Sequence, residues 1–145
     1  MLVRIKKLTK TAKMPIHSTP DSAGYDLFVD NSQATIIPPG EVVPLQTGLA
    51  MEIPSGYYGA VYARSGLSTR QGLRPPMCVG VIDADCRGNI CVPLRNDTNV
   101  PQVVEPFERV AQIVIQPCLQ IEFLESDNLS ETTRGIRGFG STGKQ

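Results

Sequence analysis

Gly80–Val92 reads GVIDADCRGNICV. Two apolar runs, Val79–Ile82 and Asn89–Leu94, flank a polar centre that holds Asp83, Asp85, Cys86, Arg87 and Gly88. The layout predicts a β-hairpin with its turn at Arg87–Gly88–Asn89. A carboxylate at the mouth of a hairpin is fixed by backbone and still reaches solvent, which suits Asp83 to work as a base. The same grammar of short apolar runs and turn residues extends through the chain. Strands are expected at Leu2–Lys7, Ala34–Ile37, Glu41–Thr47, Leu49–Ile53, Tyr57–Ala63, Val103–Val104, Val110–Pro117 and Leu119–Leu124. Val110–Pro117 is apolar at almost every position except Gln112 and Gln116, the pattern of a strand covered on both sides. Ala63–Arg70 breaks the alternation and predicts one short helix, from Leu67 to about Gly72.

With 13 glycines and 12 prolines as punctuation, this pattern predicts an all-β fold of sandwich, jelly-roll or distorted-barrel type. No βαβ alternation is present, which excludes Rossmann and P-loop architectures. The 145 residues make one domain. Fourteen basic and fourteen acidic side chains cancel, so no electrostatic footprint for nucleic acid is expected. No apolar run approaches the length of a membrane helix. The N-terminus lacks an apolar signal core, and a cytoplasmic setting (nuclear or host-cell for a eukaryotic or viral chain) with reduced thiols is expected for Cys78, Cys86, Cys91 and Cys118. None of the cysteines forms a CxxC pair. The one histidine, His17, lies in the polar segment Thr9–Pro20 and is read as a solvated loop residue, which argues against zinc and against a histidine-assisted nucleophile.

The last twelve residues, RGIRGFGSTGKQ (Arg134–Gln145), contain four glycines. Gly138–Lys144 spells GxxxxGK, but Gln145 follows where Ser or Thr is required and no helix stands behind it, so the P-loop assignment is rejected. Glycine amides, the hydroxyls of Ser141 and Thr142, and nearby cationic side chains still suit a phosphate. Phe139, a lone aromatic among glycines, suits stacking on a ring.

Five segments then fall in order: DSAGYDL (Asp21–Leu27), ARSGLS (Ala63–Ser68), GVIDADCRGNICV, ERVAQIVI (Glu108–Ile115) and RGIRGFGSTG (Arg134–Gly143). Together they resemble the five motifs of the trimeric dUTPases. The resemblance implies a distorted β jelly-roll core over residues 1–125 and a flexible, glycine-rich arm over 126–145 that closes the active site. It implies a homotrimer with sites drawn from more than one subunit, and no nucleic-acid or membrane partner. The implied reaction is attack of water on the α-phosphorus of dUTP with Mg²⁺ as cofactor, giving dUMP and pyrophosphate. A free carboxylate is a weak base, but general-base assistance contributes on the order of 10²–10⁴-fold. By this resemblance Asp83 activates the water, and Asp26 holds Mg²⁺ through a water. Arg64, Ser65, Gly66, Gln112, Arg134, Gly140, Ser141 and Thr142 bind phosphates. Gly80, Ile90 and Cys91 read uracil through the backbone, Phe139 stacks on it, and Asp83 and Cys86 border the sugar. Asp85 and Arg109 are expected to be structural, Arg109 in an ion pair.

Two other readings share the fold. A dUTP-binding regulatory protein with weak or relaxed catalysis would have no need of Asp83. A related deoxycytidine-nucleotide deaminase resembles a longer chain with other acid–base groups.

Cys86 departs from the resemblance, because the family usually carries a Tyr there that packs on deoxyribose and excludes a 2′-hydroxyl. A thiol cannot fill that space. Cys86→Tyr is therefore expected to raise the dUTP:UTP ratio of kcat/KM by roughly tenfold. Equal ratios in the two proteins would refute the assignment.

Overall fold

The computed structural model describes residues 1–138. Its organising element is the long strand that the apolar run predicts. Chain order gives β1 (Arg4–Lys7), β2 (Ile16–His17), β3 (Tyr25–Phe28), β4 (Thr35–Ile37), β5 (Val42–Gln46), β6 (Leu49–Glu52) and β7 (Tyr57–Tyr62). Helix α1 (Ser65–Gln71) follows, then β8 (Leu73–Arg74), β9 (Gly80–Ile82), β10 (Cys91–Asn96), β11 (Gln102–Val104) and β12 (Arg109–Pro117). Strand β12 pairs with β3 on one side and β7 on the other, inside a five-stranded sheet of order β2-β3-β12-β7-β9. The smaller groups are β5-β10-β8, β1-β6 and β4-β11. Leu27, Ile37, Leu73, Val92, Leu94 and Val110 lie fully buried in one core between them. This is the all-β, distorted jelly-roll arrangement expected from the sequence.

The segment that opened the sequence reading is not a hairpin. Strand β9 pairs with β7, whereas β10 pairs with β5 and β8, so the two apolar runs belong to different sheets. The tight turn sits earlier than expected, with Cys86 N–H donating to Asp83 C=O at 3.1 Å. Ile90 then anchors the chain to another corner. Its N–H donates to Leu49 C=O, and its own carbonyl accepts the N–H and hydroxyl of buried Thr47. Apolar content reports that each run is covered, but not which strand covers it.

Three further expectations change. Leu119–Leu124 forms no strand: Leu119, Ile121, Phe123 and Leu124 are exposed, the last two at 93% each. Thr9–Pro20 is not all loop, because Ile16 and His17 pair with β3, and the His17 ring stacks on Tyr25 with centroids 3.7 Å apart. The helix starts two residues early, at Ser65, and ends where Gly72 takes the left-handed conformation (φ 63°), which glycine adopts without strain. The four cysteines are free, as expected.

Strand β5 faces β10 with Pro44 directly opposite Pro93. Neither proline can donate a ladder hydrogen bond, so this is a non-hydrogen-bonded pair, with both imide nitrogens turned away from the partner strand. One end of β10 is held by Asn96, which is fully buried. Its amide donates to Ile37 C=O and Val100 C=O, and its side-chain oxygen accepts from the N–H and hydroxyl of Thr98. Asn96→Ala removes the amide donor from the buried Ile37 carbonyl, while Thr98 still serves Val100 C=O, and is expected to lower unfolding stability by about 1–3 kcal/mol. Urea denaturation checks this, and a change below about 0.5 kcal/mol would show that water replaces the amide.

Candidate active site

Asp26 is the second residue of β3 and is only 6% exposed. A buried carboxylate demands compensation, and three neighbours provide it. Arg64 Nε donates to Oδ1 at 3.0 Å, and Arg109 Nη1 to Oδ2 at 3.1 Å. The Ser18 hydroxyl donates to the same Oδ2 at 3.1 Å. Arg109 is thus the ion-pairing residue expected from the sequence, and its partner is Asp26.

Local backbone explains why these groups meet. The β3–β12 register shifts between Arg109 and Ala111, so a β-bulge lies beside the site. There the Arg109 carbonyl accepts Arg64 Nη1 at 3.1 Å. Arg64 is the N-cap of α1, with extended backbone (φ −84°, ψ 129°). Its guanidinium is therefore fixed on two edges, by a carboxylate and a carbonyl, and its other N–H groups are left to bind an anion in a set geometry. Ser65 and Gly66 follow in the first turn of α1, Ser65 exposed.

Gln112 sits opposite Asp26 on β12 and opposite Tyr62 on β7. Its amide nitrogen donates to Ala63 C=O at 3.0 Å, so one amide N–H is fixed and the other remains. The side-chain oxygen rests over Gly24, where a Cβ would stand 2.5 Å from it. Gly24 is therefore a seat for the Gln112 amide.

The other predicted residues lie elsewhere. Ile82 faces Gly59, so the strand carries Asp83 toward the Tyr58 end of β7, whereas Arg64 lies beyond the opposite end. At ~3.3 Å per residue, Tyr58 and Arg64 are about 20 Å apart along the chain. Asp26 is also displaced sideways by three strand spacings. One chain thus brings together Asp26, Arg64 and Gln112 but holds Asp83 away from them. Asp83, Asp85 and Cys86 are exposed. Gly80 packs closely on β7, where a Cβ would come 3.2 Å from that of Val61. The Ile90 N–H donates to Leu49 C=O, and its carbonyl accepts the Thr47 N–H and hydroxyl, so its backbone groups are engaged within the chain. Cys91 is half-buried, and burial pushes its thiol pKa up while a backbone hydrogen bond with Leu45 opposes the shift. Arg134 is exposed, its carbonyl bonded to Arg137 N and Nε at 3.3 and 3.1 Å. Phe139, Gly140, Ser141 and Thr142 lie outside the described residues.

Ser18 escaped the sequence reading because a serine before Thr-Pro reads as turn chemistry. Only the pairing of β2 with β3 brings it to Asp26.

A fixed arginine and a seated amide beside a buried carboxylate leave N–H groups able to take up an anion. The family model described as dUTPase matches residues 10–143, and the chain belongs to that family. A deoxyuridine 5′-triphosphate nucleotidohydrolase of Desulfitobacterium hafniense (strain DSM 10664 / DCB-2) is 47% identical over 135 residues, covering 92% of this chain and 89% of that protein. The protein of the same name from Nautilia profundicola is 44% identical over 144 residues, 99% of this chain and 100% of its own. Among solved structures, a mutant dUTPase of the Staphylococcus phage 80alpha has a TM-score of 0.88 at 28% identity, covering 97% of this chain and 98% of that one. Another mutant of it, with dUpNHpp, gives 0.86 at 29% identity over 98% of each chain.

Gly24→Ala is expected to keep the fold, because the clash falls on the far end of a flexible side chain, and to swing the Gln112 amide out of place. A loss of roughly tenfold or more in kcat/KM with an unchanged melting temperature would bear this out. Unchanged kinetics would show that the amide needs no seat.

Proposed function

We propose that the protein hydrolyses dUTP to dUMP and pyrophosphate at sites shared between copies of the chain in a homotrimer. The observation that carries this is the separation of Asp83 from the Asp26–Arg64–Gln112 group in a member of the dUTPase family. A base about 20 Å from the phosphate ligands is useless to them within one chain. It works only if another copy brings its Asp83 to this chain's Arg64. Surface chemistry supports such an assembly. An open apolar groove of about 370 Å³ is lined by Val3, Ile5, Tyr25, Met51, Ile113 and Ile115, and the alternating apolar side chains of 119–124 are exposed.

In this reading Arg64, with Ser65 and Gly66, binds the phosphates, and the free N–H of Gln112 adds a donor. These groups are held in advance, so little reorganisation is needed as charge develops on the phosphoryl oxygens. Asp83 of a neighbouring copy orients water toward the α-phosphorus and takes its proton. Backbone groups of Gly80 and Cys91 face the base, and Cys86 borders the sugar. The arm from 126 onward, carrying Arg134, Phe139, Gly140, Ser141 and Thr142, closes over the nucleotide.

The residues present fit Mg²⁺ held chiefly by substrate. Among the described residues no group of three or more His, Cys, Asp or Glu could cage a metal. An ionised carboxylate offers about four acceptor positions; Asp26 uses three, two on Oδ2 and one on Oδ1. The one left can accept a single water of a hydrated cation, and Mg²⁺ characteristically keeps several waters and takes phosphate oxygens directly. When bound, the ion supplies charge neutralisation along the triphosphate.

The test uses dUTP with Mg²⁺ and measures pyrophosphate and dUMP. Wild type is expected to release both, and Asp83→Asn and Arg64→Ala to lose activity by at least 10²-fold. Co-refolding the two inactive variants in equal amounts should restore about a quarter of the sites, since random mixing gives each site its two intact residues with that frequency. Failure to complement would place the whole site within one chain. Tight dUTP binding without turnover by wild type would instead support a regulatory role.

A further inference from the structure

We propose that Ser18 is a positioning residue that fixes which oxygen of Asp26 is left for a hydrated divalent cation, and so sets the affinity for the metal–nucleotide complex. This rests on the proposed water-mediated role of Asp26. Ser18 lies outside all five segments that carry the family resemblance. Its hydroxyl occupies one of the two acceptor positions on Oδ2, and Arg109 occupies the other. Oδ1 receives only Arg64 Nε. The vacant position is therefore on Oδ1, the oxygen that shares Arg64 with the anion to be bound.

The hydroxyl is held in place by more than its own bond. Strand β2 pairs Ile16 with Asp26 and His17 with Tyr25, which sets Ser18 diagonally across the ladder from Asp26. The His17 ring stacks on Tyr25. Upstream, buried Ala12 and the Thr9–Asp30 hydrogen bond secure the segment, and Lys13 Nζ lies 5.3 Å from the Phe28 ring and 5.0 Å from that of Phe107. Without the hydroxyl, Oδ2 gains a free position. Water then divides between two oxygens, and only one of them adjoins Arg64.

The probe is Mn²⁺, titrated by electron paramagnetic resonance into the protein saturated with a non-hydrolysable imido analogue of dUTP. Ser18→Ala is expected to weaken Mn²⁺ binding about three- to tenfold, the size of one typical net hydrogen bond. The Mg²⁺ concentration for half-maximal dUTP hydrolysis should rise by the same factor. Ser18→Thr, which keeps the hydroxyl, should stay within about twofold of wild type. Analogue affinity in EDTA should be unchanged in both variants. Wild-type Mn²⁺ affinity in Ser18→Ala, or equal weakening by Ala and Thr, overturns the proposal. Asp26→Asn separates the two levels. If it leaves Mn²⁺ affinity intact, Asp26 does not hold the cation and both readings fall. If it weakens binding while Ser18→Ala does not, only the role of Ser18 falls.

Discussion

A negative charge placed inside the protein is the constraint around which this end of the molecule is arranged. Asp26 cannot be buried alone, since an uncompensated carboxylate in a low-dielectric interior costs several kcal/mol. Its three donors come from different parts of the chain: Ser18 after β2, Arg64 ahead of α1, and Arg109 at the start of β12. Satisfying one carboxylate therefore fixes four segments relative to each other. The cationic groups that remain are aimed as a by-product. Arg64 would otherwise be a long, mobile side chain; it gains a defined direction from bonds that neutralise Asp26 and cap a carbonyl.

How much of this was legible in the sequence depends on what each signal measures. Val110–Pro117 reads as a strand covered on both faces; β12 is paired along both edges, by β3 and β7, and is buried at Val110, Ala111 and Ile113 but only half-buried at Val114 and Ile115. The pairing partners of Gly80–Ile82 and Cys91–Asn96 could not be read, because alternation reports burial and leaves the neighbour unnamed. Leu119–Leu124 shows the same limit from the other side: its alternation is real, yet nothing among the described residues covers it. Asp26, Arg64 and Gln112 were legible as members of a five-part pattern. Ser18 was not, since its role depends on a two-residue strand too short to leave a period. The Ile90 backbone contacts were illegible for a related reason, as they run to Thr47 and Leu49, far away in sequence.

Much of the site's order is carried by groups that touch no substrate in the proposed reaction. Gly24 contributes only the absence of a methyl group, which gives the Gln112 amide its resting place. The bulge beside Arg109 contributes a carbonyl aimed sideways rather than along the ladder. The precision of the arrangement thus lies in the sheet, and the side chains inherit it.

The facing prolines of β5 and β10 bear on how the protein behaves in a crowded solution. Strand β5 is the outer strand of its sheet, and Pro44 lies in its middle. Because Pro44 and Pro93 form a non-hydrogen-bonded pair, the nitrogen of Pro44 points to the open side, where an intruding strand would seek a donor and find none. The pair leaves the inner ladder intact while spoiling the outer one as a template. The stretch of edge around Pro44 is thereby protected against stray strand addition, and the next outward carbonyl, that of Gln46, is already taken by Asp30 N–H.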